Sequence, residues 1–331
     1  MRLVYYDFMT SEGKMDWQNA LTDKNTMFMT DEEGNAVADE MFLNLLSQYR
    51  TPAGDVFFQG ITLLAQETFV VVVICWLFWC SNKKLAYCLG FTYFTSGLLV
   101  QGLKITFRVP RPWLLDPAFE PVASAVPGAT GYSFPSGHTQ SITALLGTLG
   151  LYTRKKPARF LCALFILLVG FSRMYLGCHT PQDVIVSFLV TFLCVALCYS
   201  FLYKKDFSAG KELLISLCMA AVCAALLIYT AVLYKNETIE FHYAQDCIKA
   251  CGAGFAFAVG YYITETHISF TPPDSTRKRI IRFVVGIAVT LLIQTGLKPL
   301  IGESLPASFL RYFIVVIWIV TVYPFLFSRK K

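Results

Sequence analysis

The chain has 331 residues, of which 55% are hydrophobic and only 15% are charged, and its mean hydropathy is +0.53. Soluble domains carry a charge on roughly a quarter of their residues, so this composition excludes an ordinary soluble protein. The net charge of +6 is modest, and we expect no nucleic-acid partner.

The first sixty residues are polar and acidic. They hold ten acidic and four basic side chains, a net charge of −6, and they lack the basic start and apolar stretch of a signal peptide. Residues 40–50, EMFLNLLSQYR, are amphipathic and predict a helix on the membrane surface. We therefore divide the chain into an N-terminal segment (1–60), a core with the motifs described below (61–205) and additional helices (206–331).

Long apolar runs fill the rest of the sequence. A helix needs about 20 residues to cross a bilayer, and runs without alternation favour helices over the strands of a barrel. We therefore predict an all-α, polytopic membrane bundle of about nine transmembrane helices. Their expected positions are residues 62–81, 85–105, 136–153, 158–176, 182–203, 212–234, 244–264, 280–300 and 308–328.

Basic residues are concentrated in every second predicted loop. Loops rich in Lys and Arg stay in the cytoplasm, so we expect the N-terminus outside and the C-terminus inside. The basic groups are Lys83 and Lys84, then Arg154, Lys155, Lys156 and Arg159, then Lys204, Lys205 and Lys211, then Arg277, Lys278, Arg279 and Arg282, and finally Arg329, Lys330 and Lys331.

Four other basic residues fall on the outer side, against this rule, and need another explanation. They are Lys104, Arg108, Arg111 and Arg173. The outer loops also hold three polar motifs, and cations beside them suit a phosphate ester because they give charge and hydrogen-bond donors to its oxygens. The motifs are KITFRVPRP from Lys104 to Pro112, PSGH from Pro135 to His138, and SRMYLGCHTPQD from Ser172 to Asp183.

The PSGH motif predicts a helix start that binds an anion. Pro135 suits the first turn of a helix, which leaves the N–H groups near Ser136 and Gly137 as unpaired donors beside the positive end of the helix dipole. Glycine also lets a phosphate approach the backbone closely. Together with Lys104, Arg111 and Arg173, these residues are the candidate phosphate-binding groups.

Two histidines are candidates for the chemistry of phosphoryl transfer, which needs an in-line nucleophile and a proton donor. Asp183 lies four residues after His179 and can keep one ring nitrogen protonated while the other attacks. His138 has no such partner and fits the general acid. Asp183 also completes a helix-capping sequence that begins at Thr180, so a capping role alone is the alternative.

The sequence predicts neither a metal ion nor a cofactor. The outer loops hold no cluster of Asp and Glu that would bind Mg²⁺. The eleven cysteines lie mostly inside apolar runs and show neither a CxxC pair nor zinc spacing.

Glu67 is a secondary candidate because a charge inside a membrane span is by default a functional suspect. It lies in the first predicted span, toward the outer end. We hypothesise that it pairs with Lys104 or with an arginine of the site. The alternative is an interfacial glutamate without such a role.

These motifs resemble the type 2 phosphatidic acid phosphatase family, a branch of the superfamily that includes vanadium haloperoxidases. The family pattern K-x6-R-P, P-S-G-H and S-R-x5-H-x3-D is matched at every specified position over about a quarter of the chain. The resemblance implies a helical haloperoxidase-like core, a phosphohistidine on His179, His138 as acid and base, Asp183 orienting His179, and the other motif residues, Ser172 among them, holding phosphate. It also implies a bacterial protein of the cytoplasmic membrane, with its site on the outer surface.

The expected substrate is a lipid phosphate or diphosphate, such as phosphatidic acid, phosphatidylglycerophosphate or a polyprenyl diphosphate. A site at the membrane surface suits a substrate whose tail stays in the bilayer. However, about three spans follow Asp183 beyond the six of lipid phosphatases, and a nine-span layout is more similar to the glucose-6-phosphatase branch. A water-soluble phosphomonoester is therefore one alternative, and a non-catalytic transporter or scaffold is another, although both histidines and all three cations are intact.

Overall fold

A computed structural model describes residues 38–116, 118–204 and 210–328, with side chains described from residue 42 onward. Every regular element in these ranges is helical, in agreement with the all-α prediction. The acidic residues 1–37 and the basic residues Lys205 and 329–331 lie outside the described ranges.

Thirteen α-helices follow one another along the described residues, and the connection between residues 115 and 137 contains a 3₁₀ turn. The α-helices are α1 (Ala38–Ser47), α2 (Pro52–Leu63), α3 (Glu67–Trp76), α4 (Lys83–Phe107), α5 (Pro112–Leu115), α6 (Gly137–Tyr152), α7 (Lys156–Tyr175), α8 (Pro181–Cys198), α9 (Lys211–Lys235), α10 (Phe241–His267), α11 (Thr276–Ile301), α12 (Leu305–Ile317) and α13 (Tyr323–Leu326). A 3₁₀ turn covers Ala123–Gly128, and π-helical turns continue α3, α8 and α12 over Leu77–Ser81, Tyr199–Tyr203 and Trp318–Val322.

Local sequence explains where several helices begin. The Thr51 hydroxyl accepts a hydrogen bond from Gly54 N at 3.1 Å to cap α2, and Asn82 caps α4 by accepting from Leu85 N at 2.9 Å. Proline lies in the first turn of α2, α8 and α12, where its fixed φ suits the helix and its missing N–H costs nothing.

Six helices are long and apolar enough to cross a membrane: α7, α8, α9, α10, α11 and α12, counted with their π-helical extensions. The pair α2 and α3, bent by 41°, is a seventh candidate if it forms one span. Two other helices that were predicted as spans, α4 and α6, do not combine the length and the apolar character that this requires. Helix α6 has only 16 residues, and both helices are enclosed by others, which relaxes the need for a continuous apolar surface. The protein is thus an integral membrane protein, and the count of nine spans stays a prediction.

Helix α4 lies at the centre of the bundle, in contact with α6, α8, α9 and α10. Phe91 of α4 packs edge-on against Phe257 and Tyr261 of α10, with ring centroids 5.0 and 4.9 Å apart. Aromatic pairs favour this edge-to-face geometry. These contacts join the motif-bearing helices to the C-terminal part of the chain.

The outward faces of the peripheral helices are apolar. Contiguous exposed apolar surface of this kind would promote aggregation in water, whereas lipid tails solvate it. Examples with more than half of the side chain exposed are Phe160, Leu167, Leu189, Ile228 and Leu292.

The predicted amphipathic helix at residues 40–50 corresponds to α1, which ends at Ser47. Its Leu43 is buried, whereas Leu45 is exposed, and the helix contacts α7. The helical prediction is confirmed there, and the location on the membrane surface stays a prediction.

Candidate active site

The three sequence motifs meet where four helix ends converge. Lys104 lies in the last turn of α4, Gly137 begins α6, Arg173 lies in the last turn of α7 and Asp183 lies in the first turn of α8. A cavity of about 130 Å³ opens beside them, and neither Arg173 nor Asp183 is among its lining residues. Its lining includes Lys104, Arg111, Gly137, His138 and His179 from the motifs, and Tyr132, Tyr243 and Asp246 from elsewhere.

The start of α6 forms one wall of this cavity. Ser136 caps the helix, with its Oγ accepting from Thr139 N at 3.4 Å and from the Thr139 hydroxyl at 3.0 Å. Its own N–H donates to the Asp183 carbonyl at 3.1 Å, so the prediction of an unpaired Ser136 N–H is wrong. The following amides, of Gly137 and His138, occupy helix positions that have no intrahelical acceptor. A Cβ on Gly137 would meet no atom within 4 Å, so the space in front of this residue is open to a ligand.

Arg111 reaches across the cavity to His179. Its Nε donates to Gly131 O at 2.8 Å, and its Nη1 donates to Cys178 O at 2.8 Å. The same Nη1 lies 2.8 Å from Nε2 of His179. Burial lowers the pKa of the Arg111 guanidinium to about 10, which leaves it cationic at neutral pH.

Arg173 is the most deeply buried cation of the site, with 2% of the residue exposed. Its Nη1 donates to the Thr62 hydroxyl at 3.1 Å, while Nε and Nη2 have no partner among the described residues. A buried donor without a partner costs about 1–3 kcal/mol, and a bound anion would remove this cost. Lys104 is also buried, and its ammonium donates to the carbonyl of Tyr132.

His179 and Asp183 form a hydrogen-bonded pair. Nδ1 of His179 lies 3.1 Å from Oδ2 of Asp183, which also accepts from the Ser133 hydroxyl at 2.5 Å and from Thr180 N at 3.0 Å. An ionised carboxylate can only accept hydrogen bonds, so Nδ1 carries the proton and the lone pair is on Nε2. Asp183 also completes the capping box with Thr180, so this residue caps α8 and contacts His179 at once.

The electrostatic surroundings keep His179 neutral. Burial lowers the pKa of its imidazole well below the usual value, and the positive charges of Arg111, Arg173 and Lys104 lower it further. A neutral imidazole with a lone pair on Nε2 is the form that can act as a nucleophile. His138 faces the same cavity from the first turn of α6. It is close enough to His179 to contribute to the lowering of the His179 pKa.

The two secondary candidates lie away from the cavity. The Ser172 hydroxyl is buried and donates to Val169 O at 2.7 Å within its own helix. Glu67 begins α3 and forms no ion pair with Lys104 or an arginine of the site among the described residues. Its charged neighbours are Lys249 and Asp246 of α10.

The structure adds site residues that the sequence did not reveal. Ser133 and Thr62 hold Asp183 and Arg173 in place, yet they are 50 and 111 residues away from these partners in the sequence, and a single Ser or Thr carries no signal of such a contact. Tyr132 and Tyr243 stack with ring centroids 3.7 Å apart. Asp246 lies outside all three motifs and lines the cavity.

Comparison with known families gives three matches. Residues 85–207, which hold every motif residue, match the PAP2 superfamily, and residues 248–331 match the transmembrane extension of PAP2 superfamily phosphatases. Residues 1–50 match glycosyl hydrolase family 85, a stretch at the lower limit of a domain's length.

Curated relatives share low identity over long alignments. Lipid phosphate phosphatase delta of Arabidopsis thaliana is 24% identical over 76% of this chain, and the chain spans 64% of that relative's length. Dihydrosphingosine 1-phosphate phosphatase of Saccharomyces cerevisiae is 24% identical over 91% of this chain and 75% of its own length. Among solved structures, Aquifex aeolicus LpxE matches with a TM-score of 0.43 and 25% identity, over 50% of this chain and 98% of its own.

The complete motif set lies within one PAP2 match, and a second match covers the C-terminal helices. The chain therefore contains a PAP2 superfamily domain, followed by the transmembrane extension of the superfamily's phosphatases.

Proposed function

We propose that this protein is a membrane phosphatase that hydrolyses a lipid phosphate or lipid diphosphate through a phosphohistidine on His179. The observation that carries the proposal is the arrangement around His179. Its Nδ1 lies 3.1 Å from Asp183, and its Nε2 lies 2.8 Å from the cation of Arg111, in a cavity that it shares with Lys104 and His138.

The first step transfers the phosphoryl group to the enzyme. Nε2 of His179 attacks phosphorus while the bond from phosphorus to the ester oxygen breaks, and His138 donates a proton to the leaving oxygen. Asp183 stabilises the positive charge that develops on the His179 ring. Lys104, Arg111, Arg173 and the amides at the start of α6 stabilise the negative charge on the phosphoryl oxygens.

The second step returns the enzyme to its starting state. His138, now neutral, takes a proton from a water molecule, whose oxygen attacks phosphorus as the bond to Nε2 breaks. Inorganic phosphate leaves, and His138 is protonated again. Both steps use only side chains and water, so we expect the reaction to need no metal ion.

A lipid substrate is favoured by the setting of the cavity. The site lies at the ends of helices whose outer faces are apolar, so a phosphate headgroup can enter while its tail stays in the bilayer. Two relatives reported above are named for lipid phosphates. The alternative of a water-soluble phosphomonoester shares the same chemistry and differs only in the leaving group.

The same proposal includes topology and organisation. Counting α2 with α3 as one span, and adding the enclosed helices α4 and α6 to the six candidates, gives the predicted nine. The N-terminus and the site then lie outside the cytoplasm, and the C-terminus lies inside. Residues 1–60 form the outer N-terminal segment, 61–205 the catalytic core and 206–331 the additional helices, in what we infer to be a bacterial plasma membrane.

A phosphate-release assay on purified protein tests the proposal. The panel contains phosphatidic acid, phosphatidylglycerophosphate, a polyprenyl diphosphate and a sugar phosphate, each with and without EDTA. We expect release from at least one lipid that persists in EDTA and is absent in the His179→Ala variant. Faster turnover of the sugar phosphate would favour the soluble substrate, and equal activity of His179→Ala would favour a non-catalytic protein.

A further inference from the structure

A short turn after α7 connects Arg173 to His179, and we call its residues, 175–178, the α7 turn. The chain reverses there through Gly177, whose φ of 76° is in the left-handed region that favours glycine. The Cys178 N–H donates to the Arg173 carbonyl at 3.0 Å, which closes the turn. The position of the α7 turn therefore determines how Arg173 and His179 lie relative to each other.

Arg50 holds the α7 turn from a distant part of the sequence. It lies between α1 and α2, ahead of the PAP2 match that begins at residue 85. Its Nε donates to the Tyr175 carbonyl at 2.8 Å, and its Nη1 donates to the Glu120 carbonyl at 2.5 Å. The last carbonyls of a helix have no intrahelical donor and lie at the negative end of the helix dipole. A cation is therefore well suited to the end of α7.

Close packing around the guanidinium restricts the α7 turn further. The guanidinium carbon lies 5.2 Å from the centroid of the Phe119 ring. A Cβ on Gly177 would lie 2.8 Å from Nη2 of Arg50 and 2.9 Å from the Phe119 ring, so both side chains pack against the backbone of the turn. The Val122 N–H also donates to the Leu176 carbonyl at 3.1 Å. Two successive carbonyls of the turn are thus bound by donors from other segments.

The other side of the α7 turn contacts the groups proposed to carry out the reaction. The Cys178 carbonyl accepts from Nη1 of Arg111 at 2.8 Å, and the same nitrogen lies 2.8 Å from Nε2 of His179. A shift of the turn would therefore move both His179 and the acceptor that orients Arg111. A misplacement of about 1 Å at reacting groups can lower a rate by about 100-fold.

Stability of the fold alone is a poor explanation for an arginine at position 50. Its Nη2 is buried and has no partner among the described residues, and an unpaired buried donor opposes folding. What the guanidinium supplies is a rigid fork of donors, which bridges the carbonyls of Glu120 and Tyr175. Such a bridge keeps the α7 turn in one position.

We propose that Arg50 is a positioning residue for phosphoryl transfer, which keeps the α7 turn where Arg111 and His179 can reach the same phosphate. The inference rests on the proposed phosphatase function and extends its machinery to a segment ahead of the PAP2 match. Arg50 is not among the residues that line the cavity, so it acts through the turn. Thr62 supports Arg173 from the same N-terminal part of the chain.

The test removes the fork of donors and measures both the rate and the inhibition by vanadate. Vanadate can adopt the five-coordinate geometry of a phosphoryl group in transfer, so its tight binding needs the arrangement of the site that suits the transition state. We expect Arg50→Gln to lower kcat for the best lipid substrate by about 10- to 100-fold and to weaken vanadate inhibition by a similar factor. A merely structural role would lower the amount of folded enzyme and leave its inhibition constant unchanged.

Arg159→Gln is the matched control. Arg159 lies at the opposite end of α7 and is exposed, and its Nε also donates to a backbone carbonyl, that of Thr153, at 2.8 Å. Its replacement should leave kcat and vanadate inhibition unchanged. If a thermal scan in detergent shows that Arg50→Gln does not fold, Arg50→Lys takes its place. Lysine keeps the charge but lacks the planar fork, so we expect the same two changes at a smaller size.

Two results would overturn the inference and leave the phosphatase proposal intact: a wild-type kcat in the folded Arg50 variant, or a lower kcat with unchanged vanadate inhibition. The second result would mean that Arg50 only stabilises the fold. Failure of the phosphatase proposal looks different, since the wild-type protein would then release phosphate from no lipid.

Discussion

Oδ2 of Asp183 lies 3.1 Å from Nδ1 of His179 while it also accepts from Thr180 N and the Ser133 hydroxyl. Three donors thus meet one carboxylate oxygen, and they come from two parts of the chain that are far apart in sequence. Because the carboxylate is fixed in this way, it sets both the orientation of the imidazole and the nitrogen that carries its proton. Nε2 consequently carries the lone pair, and Nη1 of Arg111 lies 2.8 Å from it.

Replacement of Asp183 by Asn should lower kcat for the best lipid substrate by up to about 10⁴-fold, the loss known for a catalytic triad whose carboxylate becomes an amide. The amide can donate to Nδ1, which favours the tautomer with the proton on Nε2, where the lone pair is needed. Steady-state kinetics measure the loss, and a thermal unfolding scan in detergent separates it from damage to the α8 cap. A kcat within threefold of the wild-type value would contradict this role for Asp183.

Ser133→Ala tests the support behind that pair. Loss of the 2.5 Å hydrogen bond to Oδ2 leaves the carboxylate freer to rotate, and we expect kcat to fall by about 10-fold, as is common when a group behind an active-site ligand is removed. Ser124→Ala, in the 3₁₀ turn of an exposed loop, is the control and should keep full activity. An active Ser133→Ala protein would show that Thr180 N is sufficient to hold Asp183.

Arg173 should be hard to replace even by another cation. Its Nη1 contacts Thr62, which leaves Nε and Nη2 for a ligand, and lysine cannot reproduce this fork of donors. We expect Arg173→Lys to lower kcat/KM and to weaken vanadate inhibition by about 10-fold or more, from the energy of a charge-assisted hydrogen bond. Arg108→Lys is the control, because the Arg108 guanidinium donates to the backbone carbonyl of Ile105 and, unlike Arg173, has no buried donor without a partner.

The sequence predicted much of the site because the motif residues occupy helix ends. Lys104, His138, Arg173 and Asp183 each lie within a turn of a helix terminus, where caps and charge can be recognised locally. The surroundings of Glu67 were harder to foresee because its charged neighbours lie on α10, and no local pattern encodes the packing of α10 against α4. Likewise, a prediction of unpaired amides at PSGH cannot anticipate that the carbonyl of Asp183, on another helix, accepts from the Ser136 N–H.

The fold was predicted well where helices face lipid and less well where they face each other. Helices α7 to α12 are continuously apolar and satisfy the length and hydropathy expected of spans. Helices α4 and α6 carry polar residues such as Gln140, which donates to the Ser96 hydroxyl at 2.7 Å. Enclosure by other helices permits such residues, and the same enclosure weakens the signal of a membrane span.

The pH dependence should reveal the low pKa of His179. Its imidazole must be neutral to attack, and burial with the nearby cations lowers its pKa well below the usual value. The acidic limb of the kcat/KM profile, which reports the free enzyme, should therefore lie at pH values below about 6.5, the ordinary pKa of histidine. The profile is measured with two substrates whose phosphates differ in pKa, because a limb that reports the enzyme stays at the same pH with both substrates. An enzymatic limb at or above pH 6.5 would contradict the assignment.

The same shift predicts a change in stability. Below a pH of about 6.5, histidine in the unfolded chain takes up a proton, while His179 in the folded protein does not. Folding then releases a proton, so the His179 contribution to the free energy of unfolding should fall as the pH drops below this value. Thermal unfolding in detergent between pH 7 and pH 5 measures the change, and His179→Gln should show a weaker dependence than the wild-type protein.

Close packing of α10 on α12 should be needed for a stable C-terminal part. A Cβ on Gly252 of α10 would lie 2.5 Å from the carbonyl oxygen of Phe309 on α12, so Gly252→Ala forces the two backbones apart. We expect a destabilisation of about 1–3 kcal/mol, the usual cost of overpacking, seen as a lower melting temperature in detergent. Because α10 also carries Tyr243 and Asp246 into the cavity wall, activity should fall together with stability.

Gly296→Ala on α11 is the matched control for this packing effect. A Cβ there meets no atom within 4 Å, and alanine favours a helix over glycine by about 1 kcal/mol, so the melting temperature should stay the same or rise slightly. Equal melting temperatures for the two variants would mean that α10 and α12 can separate without loss. The cavity wall at Tyr243 would then depend on the packing of α10 against its other neighbours, α4 and α9, through rings such as Phe91 and Phe257.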